Sequence, residues 1–205
     1  MLSPRRSAQL GLLAACSLIL ASVALLGWTA SIPPCPEGIG QPPAEFTLQD
    51  TDGHPQSFQA TDGKVQILYF WSIRQTSCHA ANKAMADLYE KVDHTQVRIL
   101  GIHAPTADTA DAVAVQAALD GLNFPILMDH NGDVTRLYHA TDLPAICVVG
   151  TAGLVRSFGA FCPKGINTSK ISPAQLEAQI KLLIHESKGD SNTTQALANA
   201  SGQPK

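Results

Sequence analysis

An uncharged, largely apolar run of 25 residues, from position 8 to position 32, most constrains what this chain can fold into. Arg5 and Arg6 precede the run, and Trp28 lies near its far end. A run of this length can cross a bilayer as a helix, and basic residues before it keep the N-terminus in the cytoplasm. The pattern therefore predicts an N-terminal membrane anchor or signal segment over residues 1–32, with the rest of the chain exported.

Three fates of this segment stay open. A retained single-pass anchor is favoured, because residues 10–30 supply 21 positions, enough to span a membrane. Cleavage after Ala30 or Ser31 would instead release a soluble periplasmic protein. Lipidation of Cys16, which ends a Leu-Ala-Ala-Cys sequence, would give a lipoprotein. The expected location is the bacterial inner membrane with the domain in the periplasm, and the other two fates are alternatives.

The charge and length of the exported part limit its partners and the number of its domains. The first 32 residues hold two of the 14 Lys and Arg and none of the 17 Asp and Glu, which leaves a net charge of −5 on the remainder. This acidic balance predicts no nucleic-acid partner. The exported part divides into a Pro-rich spacer (33–44), a length typical of one domain (45–186), and a polar tail (187–205) that we expect to be disordered.

The pattern of apolar residues predicts an α/β fold. Residues 46–58 indicate a hairpin, Asp108 is expected to cap a helix over 109–121, and Ser172-Pro173-Ala174-Gln175 is a capping box that opens a helix to about His185. Strands are predicted over residues 65–71, 97–102, 145–149 and 154–158. A mixed central sheet follows, with helices on both faces and an N-terminal hairpin extension.

The order of short motifs along residues 43–186 resembles the membrane-anchored thioredoxin-like thiol-disulfide oxidoreductases of the TlpA and ResA type, in the redoxin superfamily. The motifs are Pro43-Ala44-Glu45-Phe46, Tyr69-Phe70-Trp71, a helix starting at Cys78, Phe124-Pro125-Ile126-Leu127-Met128-Asp129 and Leu143-Pro144-Ala145. The resemblance implies a thioredoxin-like fold, protein or peptide thiols and disulfides as partners, and no cofactor.

The same resemblance locates the chemistry and shows where this chain departs from it. Setting Phe70-Trp71 on the family's Phe-Trp pair places Gln75-Thr76-Ser77-Cys78 on the Cys-x-x-Cys motif. Gln75 then replaces the nucleophilic cysteine, Cys78 matches the resolving cysteine, and Ser77 stands where proline is usual. No acid lies near Tyr69, where plain thioredoxins carry one. The motif is interpreted as degenerate, and the protein is not expected to be a dithiol reductase.

A substrate groove is also implied by the resemblance, with the bond before Pro144 in the cis state. Its residues are Trp71, Arg74, Gln75, Thr76, Ser77, Leu143 and Pro144. The first helical turn, together with Arg74 and His79, would favour the thiolate of Cys78, whereas the alternative is that Cys78, at a position usually buried in the family, is a packed and unreactive thiol. Two functions stay open: catalysis through Cys78 as a monothiol, and a non-catalytic module that binds a peptide or partner.

The other cysteines and histidines give weaker indications. Cys35 and Cys162 lie in Pro-flanked loops and are candidates for a structural disulfide, whereas Cys147 lies in a predicted buried strand. A thiol peroxidase is disfavoured, because the peroxiredoxin pattern needs Pro at position 71 and Thr at position 75. No metal site is predicted, and six histidines without ligand-like spacing are interpreted as solvated surface residues: His79, His94, His103, His130, His139 and His185.

Overall fold

A computed structural model of the protein describes residues 38–163 and 170–201, and only the backbone of residues 189–201. The expected anchor at 1–32, with Cys16, and the beginning of the spacer, with Cys35, lie outside these residues. Among the residues described, no helix is both long enough and apolar enough to cross a membrane.

Seven strands and four helices make up the described part of the chain. The strands are β1 (Phe46–Asp50), β2 (Pro55–Phe58), β3 (Val65–Trp71), β4 (Val97–His103), β5 (Ile126–Met128), β6 (Ala145–Val149) and β7 (Val155–Ala160). The helices are α1 (Thr76–Tyr89), α2 (Ala110–Leu119), α3 (Asp133–Leu137) and α4 (Pro173–Ser201). One mixed sheet has the order β2-β1-β5-β4-β3-β6-β7, which confirms the predicted fold class.

Strand β3 lies near the centre of the sheet and positions the candidate site. It pairs in parallel with β4 and antiparallel with β6, and all seven of its residues are buried. Tyr69 and Trp71 pack on one face with α1 and α4, whereas Leu68 and Phe70 pack on the other face with α3. This two-sided burial explains the continuous apolar run that predicted the strand.

The N-terminal hairpin of β1 and β2 is confirmed. The two strands pair antiparallel, and β1 also pairs with β5, so that the hairpin extends the sheet at one edge. In the turn, Asp50 Oδ1 accepts hydrogen bonds from the N–H groups of Asp52 (3.0 Å) and His54 (2.8 Å). Phe46 stacks on Phe58 with ring centroids 5.2 Å apart, which anchors the hairpin to the core.

The last helix differs from its predicted length. Its capping box is present, since Gln175 Oε1 accepts from Ser172 N at 2.9 Å and Ser172 Oγ accepts from Gln175 N at 3.3 Å. The backbone of α4 continues to Ser201, whereas the sequence predicts a helix ending near His185 and a disordered tail from Ser187. Residues 187–201 contain no proline to break the helical hydrogen bonds, and their Ala and Leu residues favour helix.

Candidate functional site

The loop between β3 and α1 carries the four positions of the degenerate motif. It turns tightly, because Gln75 N donates to Ser72 O at 3.3 Å and Cys78 N donates to Gln75 O at 2.8 Å. Gln75 is the N-cap residue of α1, with an extended backbone and no side-chain capping bond. Its exposed side chain therefore lies at the helix N-terminus, where the resemblance places the nucleophile.

Cys78 does not have the environment of a reactive thiol. It is fully buried in the core cluster that includes Tyr69 and Ala81. Burial, together with the nearby Asp120 carboxylate, raises the pKa of the Cys78 thiol to about 11, and hydrogen bonding with Ser72 and Ser77 opposes this shift only in part. The expectation that the helix N-terminus and its neighbours favour the thiolate is therefore wrong.

Arg74, one of the two groups expected to activate Cys78, is held by another partner. Its Nε and Nη2 atoms donate to Asp108 Oδ1 at 3.0 Å and 2.6 Å. The Asp108 side chain is only 7% exposed and also accepts a hydrogen bond from the Thr106 hydroxyl. Asp108 was expected to cap α2, but Thr109 caps it, by accepting from Ala112 N at 3.3 Å. Asp108 thus binds the site loop rather than the helix.

His103 lies directly behind this ion pair and was wrongly expected on the surface. It is 2% exposed at the end of β4, with its ring edge-on to Trp71 and the centroids 5.3 Å apart. Its Nε2 atom accepts from Ile73 N at 3.4 Å and lies 3.9 Å from Asp108 Oδ2. Burial lowers the pKa of His103 to about 4; Asp108 opposes the shift, and nearby His130 and Arg74 add to it. The neutral ring therefore supports the loop from below.

A second acid, Asp120, organises the polar groups beneath α1. Tyr69 Oη donates to Asn82 Oδ1 at 2.7 Å, and Asn82 Nδ2 donates to Asp120 Oδ2 at 2.6 Å. His79 Nδ1 lies 3.1 Å from the same oxygen, and Gln116 Nε2 donates to Asp120 Oδ1 at 2.9 Å. His79, the other group expected to activate Cys78, is thus bound to a carboxylate. Asp120 also places an acid near Cys78, where the sequence showed none next to Tyr69.

The loop opposite the motif keeps the expected backbone. The Leu143–Pro144 peptide bond is cis, which confirms the prediction. The Pro144 carbonyl accepts from Phe161 N at 2.7 Å, and the Leu143 carbonyl accepts from Ser77 Oγ at 3.3 Å. This second bond joins the loop to the first turn of α1, so the two halves of the predicted groove lie side by side.

The predicted groove residues differ in their exposure. Arg74, Gln75, Thr76 and Ser77 are exposed, and Leu143 is half-buried. Trp71 is fully buried, and Pro144 is buried as well, so these two support the surface rather than line it. A ligand in the groove would therefore meet the loop side chains and the backbone of Leu143.

Two further thiols lie in the described residues, and Cys147 is separated from Cys78 by the sheet. Cys147 is fully buried in β6 and packs in the core cluster on the opposite face from Cys78. Cys162 is half-buried just after β7, and its backbone N–H donates to Ile171 O at 2.9 Å. Because Cys35 lies outside the described residues, the Cys35–Cys162 disulfide stays a prediction.

One group of metal-ligating side chains occurs in the described residues, at the hairpin turn. Ligand atoms of Asp50, Asp52 and His54 lie within 4.8 Å of one another. Both Asp50 oxygens already accept hydrogen bonds, Oδ1 from turn N–H groups and Oδ2 from Gln56 Nε2 at 3.1 Å. These bonds account for the cluster as a turn, so we do not assign it to a metal.

Comparison with known proteins identifies the family. Residues 39–158, more than half of the chain, match the family model described as AhpC/TSA. The chain belongs to the AhpC/TSA family. Within this redoxin family it is 29% identical over 93 residues to the thioredoxin-like protein SkfH of Bacillus subtilis, which covers 43% of the chain and 63% of SkfH. It is 27% identical over 116 residues to the thiol-disulfide oxidoreductase ResA of Halalkalibacterium halodurans, which covers 56% of the chain and 64% of ResA.

These matches confirm the TlpA/ResA-type resemblance, although the chain spans slightly less than two thirds of the length of these relatives. Peroxiredoxin Q of Sedum lineare is 30% identical over 98 residues, or 47% of the chain and 51% of that protein.

Solved structures confirm the thioredoxin-like fold. A secreted Mycobacterium tuberculosis disulfide oxidoreductase homologous to DsbE covers 67% of this chain and 96% of its own, with a TM-score of 0.56 and 23% identity. StoA of Bacillus subtilis covers 66% of this chain and 96% of its own, with a TM-score of 0.54 and 19% identity. The redoxin therefore has the thioredoxin-like fold of these disulfide oxidoreductases. The geometry of the β3–α1 loop, which carries Gln75 to Cys78, bears on its function.

Proposed function

We propose that this redoxin is an exported, membrane-tethered protein whose domain binds an extended peptide or partner protein beside Pro144 without turning over disulfides. One observation carries the proposal: the motif's one thiol, Cys78, is fully buried with a pKa of about 11. At pH 7 only about one such thiol in 10,000 is a thiolate. The exposed position at the helix N-terminus belongs to Gln75, whose amide is not a nucleophile.

The backbone next to the cis bond supports binding. Extended peptides bind by pairing their main chain with exposed backbone groups, while side-chain contacts give specificity. Leu143 offers such groups, since within residues 38–163 and 170–201 its N–H donates to no acceptor. The exposed side chains of Gln75 and Thr76 lie on the facing turn, where they can contact a bound chain.

Membrane tethering rests on the N-terminal sequence. The uncharged run at 8–32 and the preceding Arg5 and Arg6 support export of the domain and retention at the bilayer. The relatives SkfH and ResA are a thioredoxin-like protein and a thiol-disulfide oxidoreductase, so the expected ligands are polypeptides, including those that carry thiols or disulfides.

A monothiol reaction of Cys78 is the second candidate. It is favoured by hydrogen bonding with the Ser72 backbone and the Ser77 side chain, which lowers the pKa of the thiol against the larger effect of burial. A single thiol could form a mixed disulfide with a partner but has no second loop thiol to release it. Cys147 lies on the other face of the sheet, so it is not placed to resolve that bond. A thiol peroxidase is the third and least favoured candidate, because peroxide must reach a thiolate.

A thiol titration combined with insulin reduction tests the proposal on the full-length protein. We expect no insulin reduction by the wild type and at least partial activity after Gln75→Cys, because the substitution restores the exposed position of the dithiol motif. Thr76→Cys is the matched control, since it places a thiol on the same exposed turn at the wrong spacing from Cys78. Ready insulin turnover by the wild type, or equal activity of the two variants, would refute the proposal.

A further inference from the structure

Ser77 makes a contact across the groove that its neighbours do not make. Its Oγ atom donates to the Leu143 carbonyl at 3.3 Å, which links the first turn of α1 to the loop before Pro144. Thr76, one residue earlier and also exposed, makes no hydrogen bond through its hydroxyl in the described residues. A hydroxyl has one proton to donate, and while the Cys78 thiol is protonated this proton is directed to the Leu143 carbonyl, which can only accept.

This contact occupies a backbone group that a bound peptide would use. Pro144 has no N–H, and its carbonyl already accepts from Phe161 N at 2.7 Å. Beside the cis bond, the groups left for a ligand are the N–H and carbonyl of Leu143. Within residues 38–163 and 170–201 the N–H donates to no acceptor, whereas the carbonyl accepts from Ser77. The groove therefore presents a donor to a ligand and keeps its acceptor engaged.

We propose that Ser77 determines the specificity of this groove by competing with peptide N–H groups for the Leu143 carbonyl. The inference rests on the proposed peptide-binding function. A peptide residue with an ordinary N–H must displace the hydroxyl or share the carbonyl oxygen with it, whereas proline or an N-methylated residue has no such bond to lose. The groove thus discriminates less against proline-containing segments than a groove with a free carbonyl would.

The residue type at position 77 decides whether a hydrogen-bond donor competes for the Leu143 carbonyl. The resemblance places proline at this position in the family, and a proline ring carries no hydroxyl and no N–H to donate. A neutral hydrogen bond makes a modest net contribution, so removing the competitor is expected to raise apparent affinity about three- to tenfold.

The test measures peptide capture in a Gln75→Cys, Cys78→Ala background, in which the introduced thiol reports occupancy of the groove. The probe is a peptide of nine residues whose central cysteine is activated as a mixed disulfide with 2-thiopyridine. The introduced thiolate attacks the peptide sulfur and forms the protein–peptide disulfide. The bond to the pyridyl sulfur breaks, and 2-thiopyridone leaves with the electron pair and takes up a proton. Its absorbance gives the rate as a function of peptide concentration, and the Cys78→Ala parent gives the background.

Ser77→Ala is compared with Thr61→Ala in that background, because Thr61 is exposed in the turn before β3, at the end of that strand away from the loop. We expect Ser77→Ala to lower the half-saturating peptide concentration about three- to tenfold, and Thr61→Ala to leave it unchanged. A second set of peptides carries an N-methyl group on the amide of the cysteine or of either neighbour. Methylation at one of these positions should abolish the gain from Ser77→Ala.

The outcomes separate this inference from the proposed function. If the peptide saturates the protein but Ser77→Ala behaves like Thr61→Ala, the role of Ser77 is refuted and the binding function stands. If Ser77→Ala raises the half-saturating concentration, the hydroxyl binds the ligand directly and the competition is refuted. If the rate shows no saturation and the peptide reacts no faster than 2,2′-dithiodipyridine, the binding function fails, and the role assigned to Ser77 fails with it.

Discussion

Two acidic residues bracket α2, and each binds a basic side chain on the loop or helix that holds Cys78. Asp108, just before the helix, pairs with Arg74, whose side chain is 62% exposed. Asp120, just after it, binds His79 and continues through Asn82 to the buried Tyr69. Both carboxylates are mostly buried, but Asp108 binds an exposed guanidinium at the loop, whereas the hydrogen bonds from Asp120 continue to the buried Asn82 and Tyr69 in the core.

The Asp108 and Asp120 clusters together hold the β3–α1 loop in place while the Cys78 thiol stays unreactive. Both acids bind side chains that could otherwise support a thiolate, and Asp120 additionally raises the pKa of Cys78. Because buried hydrogen bonds cost more to break than exposed ion pairs, the two clusters should differ in their contribution to stability. Substitutions in the two clusters test this expected difference in stability.

Asp120→Ala should give the largest loss of stability. It leaves the Asn82 amide and the Gln116 amide without their acceptor beneath α1, so we expect a loss of about 2–4 kcal/mol in the free energy of unfolding. Urea denaturation followed by circular dichroism measures it. Asp111→Ala removes an exposed acid from the first turn of α2 and should cost less than about 1 kcal/mol. Equal losses for the two variants would show that Asp120 stabilises the fold no more than an exposed acid does.

The pH dependence of stability tests the buried histidine beside the Asp108 cluster. The pKa of His103 is lowered to about 4 in the fold, so the unfolded chain takes up a proton first as the pH falls. Stability from the neutral ring is therefore complete above about pH 6.5 and is lost as the pH falls towards 4. Asp108, His130 and Arg74 are the charged groups that influence this ring.

We expect the loss from His103 to be on the order of 2 kcal/mol by pH 4. Urea titrations at a series of pH values measure it. His103→Gln should flatten the curve between pH 6.5 and pH 4, while His185→Gln, at an exposed position on α4, should not. A His103→Gln curve that follows the wild type would show that the ring does not titrate as its burial requires.

Arg74→Gln, in the Asp108 cluster, should have a smaller effect on stability than Asp120→Ala. The ion pair joins an exposed guanidinium to a mostly buried carboxylate, so we expect a loss of about 1 kcal/mol or less. Lys83→Gln removes a fully surface-exposed pair with Asp87 and should cost less still. Amide hydrogen exchange of residues 72–77 should be faster in Arg74→Gln only. A loss as large as that of Asp120→Ala would reverse the ranking of the two clusters.

The central sheet and the cis peptide could be predicted because their signals are local. Six of the seven residues of β3 are apolar and predict a doubly buried strand, and Leu143-Pro144-Ala145 identifies the cis bond through its family resemblance. The hairpin at Asp50 and the capping box at Ser172 also depend on neighbouring residues.

The electrostatics of the site could not be predicted, because its partners come from distant strands and loops. Parallel pairing of β3 with β4 sets Trp71 beside His103, and nothing in the sequence near His103 indicates its burial. Asp120 reaches α1 from 38 positions away in sequence, from Asn82. Asp108 was assigned to a cap on local grounds, but the neighbouring Thr109 serves that role.

The alkylation rate of Cys78 as a function of pH, measured on the native full-length chain with mass-spectrometric assignment of the labelled peptide, tests the central claim most directly. The account predicts almost no labelling of Cys78 at pH 7 to 8 until urea unfolds the domain, since the buried thiol has a pKa of about 11. Rapid labelling of the folded protein at neutral pH, with an apparent pKa near or below 8, would contradict it.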